Sequence, residues 1–105
     1  MKIARLVFPG FWFGKTPEEE ALELARAGVG GFCLYGGTKA KVATLTRKLR
    51  AASPLPRILI AADYEDGLGR WLPDTPLLPS NLAIGAAGSE GLAYEKGFKI
   101  GRAHV

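Results

Sequence analysis

One stretch constrains this chain more than any other: Ile58-Leu59-Ile60-Ala61-Ala62-Asp63-Tyr64-Glu65-Asp66-Gly67-Leu68-Gly69-Arg70-Trp71. An apolar run set off by Pro54 and Pro56 breaks abruptly into three carboxylates, two glycines and an arginine. A parallel strand covered on both faces reads as a continuous apolar run, and polar groups appear where it ends. In α/β architectures ligands sit at those carboxyl ends. Asp63 is therefore the first candidate for function. The plain alternative is a solvated turn of acids and glycines.

The segments before it alternate in period. Ile3 to Phe8 reads as a first strand stopped by Pro9-Gly10, and Phe11-Trp12-Phe13-Gly14 then places three aromatics in a loop. Such a cluster either stacks on a sugar ring or plugs one end of a core; the plug is the reading favoured here. Thr16-Pro17-Glu18-Glu19 carries the marks of a helix start, namely a hydroxyl cap, proline at the first helical position and a glutamate three residues after the cap. Ala21, Leu22, Leu24 and Ala25 form the inner face, and the helix is expected to end near Gly28. Gly30 to Tyr35 is the second strand, closed by Gly36-Gly37. Thr38 is placed to cap a second helix with the stripe Val42, Leu45 and Leu49. Ser53-Pro54 ends it, because a residue before proline is kept out of helical geometry.

Strand, helix, strand, helix, strand is the pattern of a parallel sheet with right-handed crossovers. Beyond Trp71, three prolines within Leu72 to Ser80 predict an irregular loop. Asn81 to Ala87 is short and mostly apolar, and Gly88 or Ser89 opens a last helix through Leu92, Ala93, Tyr94 and Phe98, weakened by Gly91 and Gly97.

Size and charge then exclude classes. At 105 residues the chain makes one domain at most, too small for a whole barrel or doubly wound enzyme. A hydrophobic content of 48% with 23% charged residues belongs to a globular chain. The net charge of +4 is mild, and Lys39, Lys41, Arg47, Lys48, Arg50 and Arg57 have no aromatic residues interleaved, so they read as the wet face of a helix rather than as a nucleic-acid patch. Cys33, the only cysteine, reads as a small buried hydrophobe, which excludes a disulfide framework. No run is long enough to span a membrane and the first residues lack the apolar core of a signal peptide, so the expected address is cytoplasmic, with no membrane partner.

Asp63, Glu65 and Asp66 supply too few ligands, with no histidine near, for an expected metal site. The glycine turns Gly28 to Gly31, Gly36-Gly37 and Gly67 to Gly69 do not satisfy the dinucleotide pattern, and no cofactor is expected. A carboxylate and an arginine such as Asp63 and Arg70 suit a sugar, accepting from and donating to neighbouring hydroxyls; the same two residues also suit a structural ion pair. Ile100 to Val105, with the sole histidine, His104, matches one reading frame of a widely used sequencing-library adapter. Residues 100–105 are therefore expected to be a non-native tail, with the native chain continuing past Lys99.

Taken in order, Phe8-Pro9-Gly10-Phe11, Gly28-Val29-Gly30-Gly31-Phe32, Ile60 to Gly67 with Arg70, and Leu78-Pro79-Ser80 before Ala83-Ile84-Gly85-Ala86 resemble the start of glycoside hydrolase family 3, from about Ile3 to Lys99. The nearest branch is the β-N-acetylhexosaminidases, whose strand-end motif is Asp-x-Glu-Gly-Gly followed by arginine. The resemblance implies the first three or so strands of a (β/α)8-like barrel and a retaining hydrolase acting on terminal β-linked N-acetylhexosamine or a related β-glycoside through a glycosyl-enzyme intermediate. Asp63 and Arg70 then match the residues that hold the sugar, while Glu65 and Gly67 support the loop. Two departures stand out: Asp66 replaces the usual glycine, and the interval from Asp63 to Arg70 is one residue short. The nucleophilic aspartate and the histidine acid/base implied by the branch fall beyond residue 99, so no catalytic residue is expected here and the fragment should be inactive. The rival expectations are a small, complete, non-catalytic α/β module binding a ligand at its sheet edge and, further behind, a phosphate- or nucleotide-binding domain.

Overall fold

A computed structural model describes residues 2–103; His104 and Val105, the end of the expected tail, lie outside the described residues. The chain divides into two compact units, Met1–Asp63 and Tyr64–Val105.

The first unit is α/β. Three strands, β1 (Gly10–Trp12), β2 (Gly31–Tyr35) and β3 (Leu59–Ala61), lie parallel in the order β1-β2-β3. The crossovers are α1 (Glu18–Arg26) and α2 (Lys39–Ala52), as the periodicity predicts. Phe11, Phe32 and Leu34 of the sheet join Ala21 and Ala25 of α1 and Leu45 and Leu49 of α2 in one buried core, closed by Val29 and Ile58. Fully burying a leucine or phenylalanine stabilises a fold by about 1.5–3 kcal/mol, so this cluster carries the unit.

Local signals hold at three of four helix ends and fail at one. Thr38 accepts from the Lys41 amide at the start of α2, Ser53 closes it in extended geometry, and α1 runs out at Ala27 before Gly28, whose φ of +87° suits glycine. Thr16, however, is not the cap of α1. Its Oγ1 accepts from the Trp12 amide at 3.0 Å, and Pro17 occupies the cap with no side-chain bond. Three glutamates in the first turn favour the helix dipole instead.

The first strand is displaced from its expected place. Ile3–Leu6 is a short 3-10 turn with no buried residue, and the strand falls at Gly10–Trp12, within the expected aromatic loop. The reason lies in β2. The Gly30 amide donates to the Ala4 and Val7 carbonyls, so residues 3–8 fold over the amino end of β2 instead of pairing along it. A side chain at Gly30 would collide with the Arg5 carbonyl, and one at Gly31 with the Phe8 ring and the Leu59 carbonyl.

The third strand is shorter than Arg57 to Ala62, and it is not covered on both faces. Leu59 is 58% exposed and Ala61 is exposed, while Ile58 is buried just before the strand. Helices pack against one face only, and β3 ends the described order of strands.

The second unit is built differently. A turn in which the Gly67 amide donates to the Tyr64 carbonyl leads into a 3-10 turn, Leu68–Arg70, then the proline-rich loop. Asn81–Ala87 is a helix, α3, capped by Ser80 and ended by Gly88 in the left-handed region. The last helix, α4 (Glu90–Ala103), starts at Ser89, whose Oγ accepts from Leu92, and takes in residues 100–103 of the expected tail.

Candidate functional site

Side chains alternate across a strand, so register decides which of them share a face. Trp12 is paired with Tyr35, and Cys33 with Ala61. Carried two residues past that last pair, beyond the end of β3 at Ala61, the same register sets Asp63 beside Tyr35. Trp12, Tyr35 and Asp63 thus form one row across the carboxyl ends of three parallel strands, on the face away from the helices. The contacts agree with the register. The Trp12 and Tyr35 rings stack at 4.2 Å with 14° between their planes.

The row is accessible. Trp12 is 41% exposed, Asp63 is exposed and Tyr35 is half-buried. Gly10 lies beneath it: a Cβ there would meet Tyr35 at 3.5 Å and the Trp12 indole nitrogen at 3.6 Å, ordinary contact distances. The Lys15 ammonium stands 5.5 Å from the Trp12 ring centroid. The aromatic cluster read from sequence therefore splits in two. Phe11 is buried and meets the half-buried Phe13 edge to face at 5.0 Å, which is the expected plug, whereas Trp12 faces outward.

Cys33 is not fully buried. Its thiol donates to the Tyr35 hydroxyl at 3.2 Å. The Tyr35 phenol is pushed up to about 12, first by the hydrogen bond with Cys33 and the negative charge a thiolate there would carry, then by partial burial, then by the Asp63 carboxylate. It holds its proton at neutral pH.

The other predicted site residues lie in the second unit. Glu65 is exposed on the turn. Gly67, at φ +82°, has Leu78 packed where a side chain would go, 2.8 Å from an ideal Cβ, so the loop requires glycine. Arg70 Nη1 donates to Asp66 Oδ2 at 3.0 Å, so the described carboxylate partner of the arginine is Asp66. The Arg70 side chain is nevertheless 61% exposed, and this contact engages one of five guanidinium donors.

Asp66, which stands where the motif the sequence resembles carries glycine, is the hub of its unit. Its side chain is 9% exposed, and Lys96, 6% exposed, donates to its Oδ1 at 2.7 Å and to Asn81 Oδ1 at 2.6 Å. These contacts hold the Asp66 carboxyl below its ordinary range, the Lys96 hydrogen bond foremost, against the opposing effect of burial. Nothing short-range in the sequence joins residues 66, 81 and 96.

A groove of about 450 Å³ in the first unit is lined by Arg50 and the segment Leu55 to Ile60, at the amino end of β3. Ligands of α/β folds sit at the opposite, carboxyl end of the strands, so the groove is read as the open flank of an edge strand and the row at Asp63 as the site. Among the described residues, no group of three or more His, Cys, Asp or Glu side chains is placed to hold a metal ion, and no helix is long and apolar enough to cross a membrane. Compared with protein-family models, curated proteins and solved structures, the chain matches none of them.

Proposed function

We propose that this chain is the opening part of a (β/α)8-barrel glycoside hydrolase of family 3, nearest the β-N-acetylhexosaminidases, and that Asp63 and Arg70 hold the sugar. The parent enzyme would act in the cytoplasm, without a cofactor, on terminal β-linked N-acetylhexosamine or a related β-glycoside. The observation that carries the reading is the row Trp12, Tyr35, Asp63 at the carboxyl ends of three consecutive parallel strands. A carboxylate beside exposed aromatic carbon is the chemistry a pyranose asks for: hydroxyls that donate in pairs to carboxylate oxygens, and C–H groups that rest on a ring face. Arg70 is assigned to the sugar by the resemblance alone; it keeps guanidinium donors beyond the one given to Asp66.

The pattern of exposure supports the barrel. Leu59 and Trp12 are exposed on the sheet, as are Leu82, Tyr94 and Phe98 on α3 and α4. Apolar groups left in water in this number are expected where further strands and helices belong. Retention needs two groups flanking the scissile bond, and neither Asp63 nor Glu65 matches either role, so the chain binds without cleaving. A second reading has the contiguous core of the first unit in its favour: a small non-catalytic α/β module that uses the same carboxyl edge.

Titration with N-acetylglucosamine, followed by the indole resonance of Trp12 with Trp71→Phe removing the other indole, tests the sugar site. Binding is expected, weakened about tenfold or more in Asp63→Ala by loss of a charge-assisted acceptor, with no turnover of an aryl N-acetyl-β-glucosaminide. No response in the wild-type chain, or equal affinity in Asp63→Ala, overturns it.

A further inference from the structure

We infer that the groove between the starts of α1 and α2 is a second site, for a small aromatic carboxylate, with the Lys41 ammonium as its counter-charge. It goes beyond the sugar reading and shares no residue with it. The groove encloses about 360 Å³ and is lined by Phe11, Phe13, Glu18, Ala40, Lys41 and Thr44, all of the first unit. Small-molecule sites are commonly hollows of about 300–1,000 Å³, lined mainly by apolar side chains with a few polar groups that orient the ligand.

The floor is aromatic. Phe11 is buried, and the half-buried Phe13 meets it edge to face at 5.0 Å. Aromatic rings pack on one another in such arrangements, and a bound ring extends the pair. Ala40, with no atom beyond Cβ, leaves the α2 wall open.

The charges then select the ligand. The Glu18 carboxylate is taken by Lys48, whose ammonium lies 2.6 Å from it. Lys41 gives its backbone amide to the Thr38 cap, and among the described residues its ammonium enters no ion pair. The Thr44 hydroxyl accepts from Arg47 at 3.3 Å and has its own proton to give. One uncompensated cation and one hydroxyl donor beside two phenyl rings suit a carboxylate on an aromatic body. An inorganic anion would meet the cation and leave the rings uncovered.

Benzoate is the probe, titrated into the whole chain and followed by the amide resonances of residues 39–44. Saturable shifts are expected there. Lys41→Gln, at an exposed helix position, should weaken binding about fivefold or more with the far-ultraviolet circular dichroism unchanged, and benzyl alcohol should lose as much in the wild-type chain. Ala40→Leu, also exposed, should fill the groove and abolish the shifts. No saturable shift in the wild-type chain overturns the inference, as does equal affinity in Lys41→Gln or for benzyl alcohol. Unchanged binding in Ala40→Leu, or the same shifts with sulfate at matched ionic strength, overturns it as well, because the aromatic groove would then play no part.

Discussion

The two units of this chain solve the same problem by opposite means. In Met1–Asp63 the buried side chains are apolar, and Phe32, Leu34, Leu45 and Leu49 sit between a sheet and two helices. In Tyr64–Val105 Leu72 is the one buried apolar side chain among the described residues, and the other buried groups include Asp66 and Lys96. α3 and α4 meanwhile leave Leu82, Tyr94 and Phe98 in water. Apolar burial adds up with area and tolerates imprecision. A buried ion pair stabilises only when its hydrogen bonds are complete, and it costs heavily once broken. The first unit is thus the robust partner, and the second depends on one cluster.

The contrast breaks most sharply at the core. Leu49→Ala removes a fully buried side chain shared by the helices and the sheet and is expected to cost about 2–5 kcal/mol, read as a lower denaturation midpoint. If the loss is small, the core does not carry the first unit. Next comes Lys96→Met, which keeps the length of the side chain but leaves the Asp66 carboxylate buried beside Arg70 alone. A smaller loss is expected, confined to protection of α3 and α4 amides in hydrogen exchange, with strands β1–β3 unaffected. Protection lost equally in both units would erase the distinction.

Acid should have the mildest selective effect. The Asp66 carboxyl lies below its ordinary value of 3.8 in the folded chain, so the stability it contributes is present above that value and declines as pH falls through the depressed one. A protonated carboxyl still hydrogen-bonds, and Lys96 keeps Asn81, which is why the loss is smaller than in Lys96→Met. Hydrogen exchange between pH 5 and about 2 should show α4 opening earlier in the wild-type chain than β2, and Asp66→Asn should flatten the difference.

Much of the first unit was legible because its signals are local. The helix stripe Val42, Leu45, Leu49, the Thr38 cap and the Ser53-Pro54 stop all act within a few residues. β1 was not legible. Ile3 to Phe8 and Gly10 to Trp12 are both acceptable strands by composition, and only pairing with β2 selects the second. The site shows the same division. Asp63 was visible at the end of an apolar run, but Tyr35 looked like any strand residue and Trp12 like part of a plug. Their common row depends on the register of three strands whose first member the local signals misplace. A period-two reading from Cys33 to Tyr35 was the one sequence signal available, and it has no meaning until a neighbour is known.

What the sequence determined alone is the alternation of strand and helix, the ends of the helices and the presence of a carboxylate just past an apolar strand, because short-range sterics and spacing govern each. Which apolar segment pairs, which face the carboxylate shares with Trp12 and Tyr35, and why an aspartate is tolerated at position 66 were decided only in the tertiary structure. Strand register and the meeting of Asp66, Asn81 and Lys96 are contacts between residues far apart along the chain, and such contacts come into being only when the chain folds.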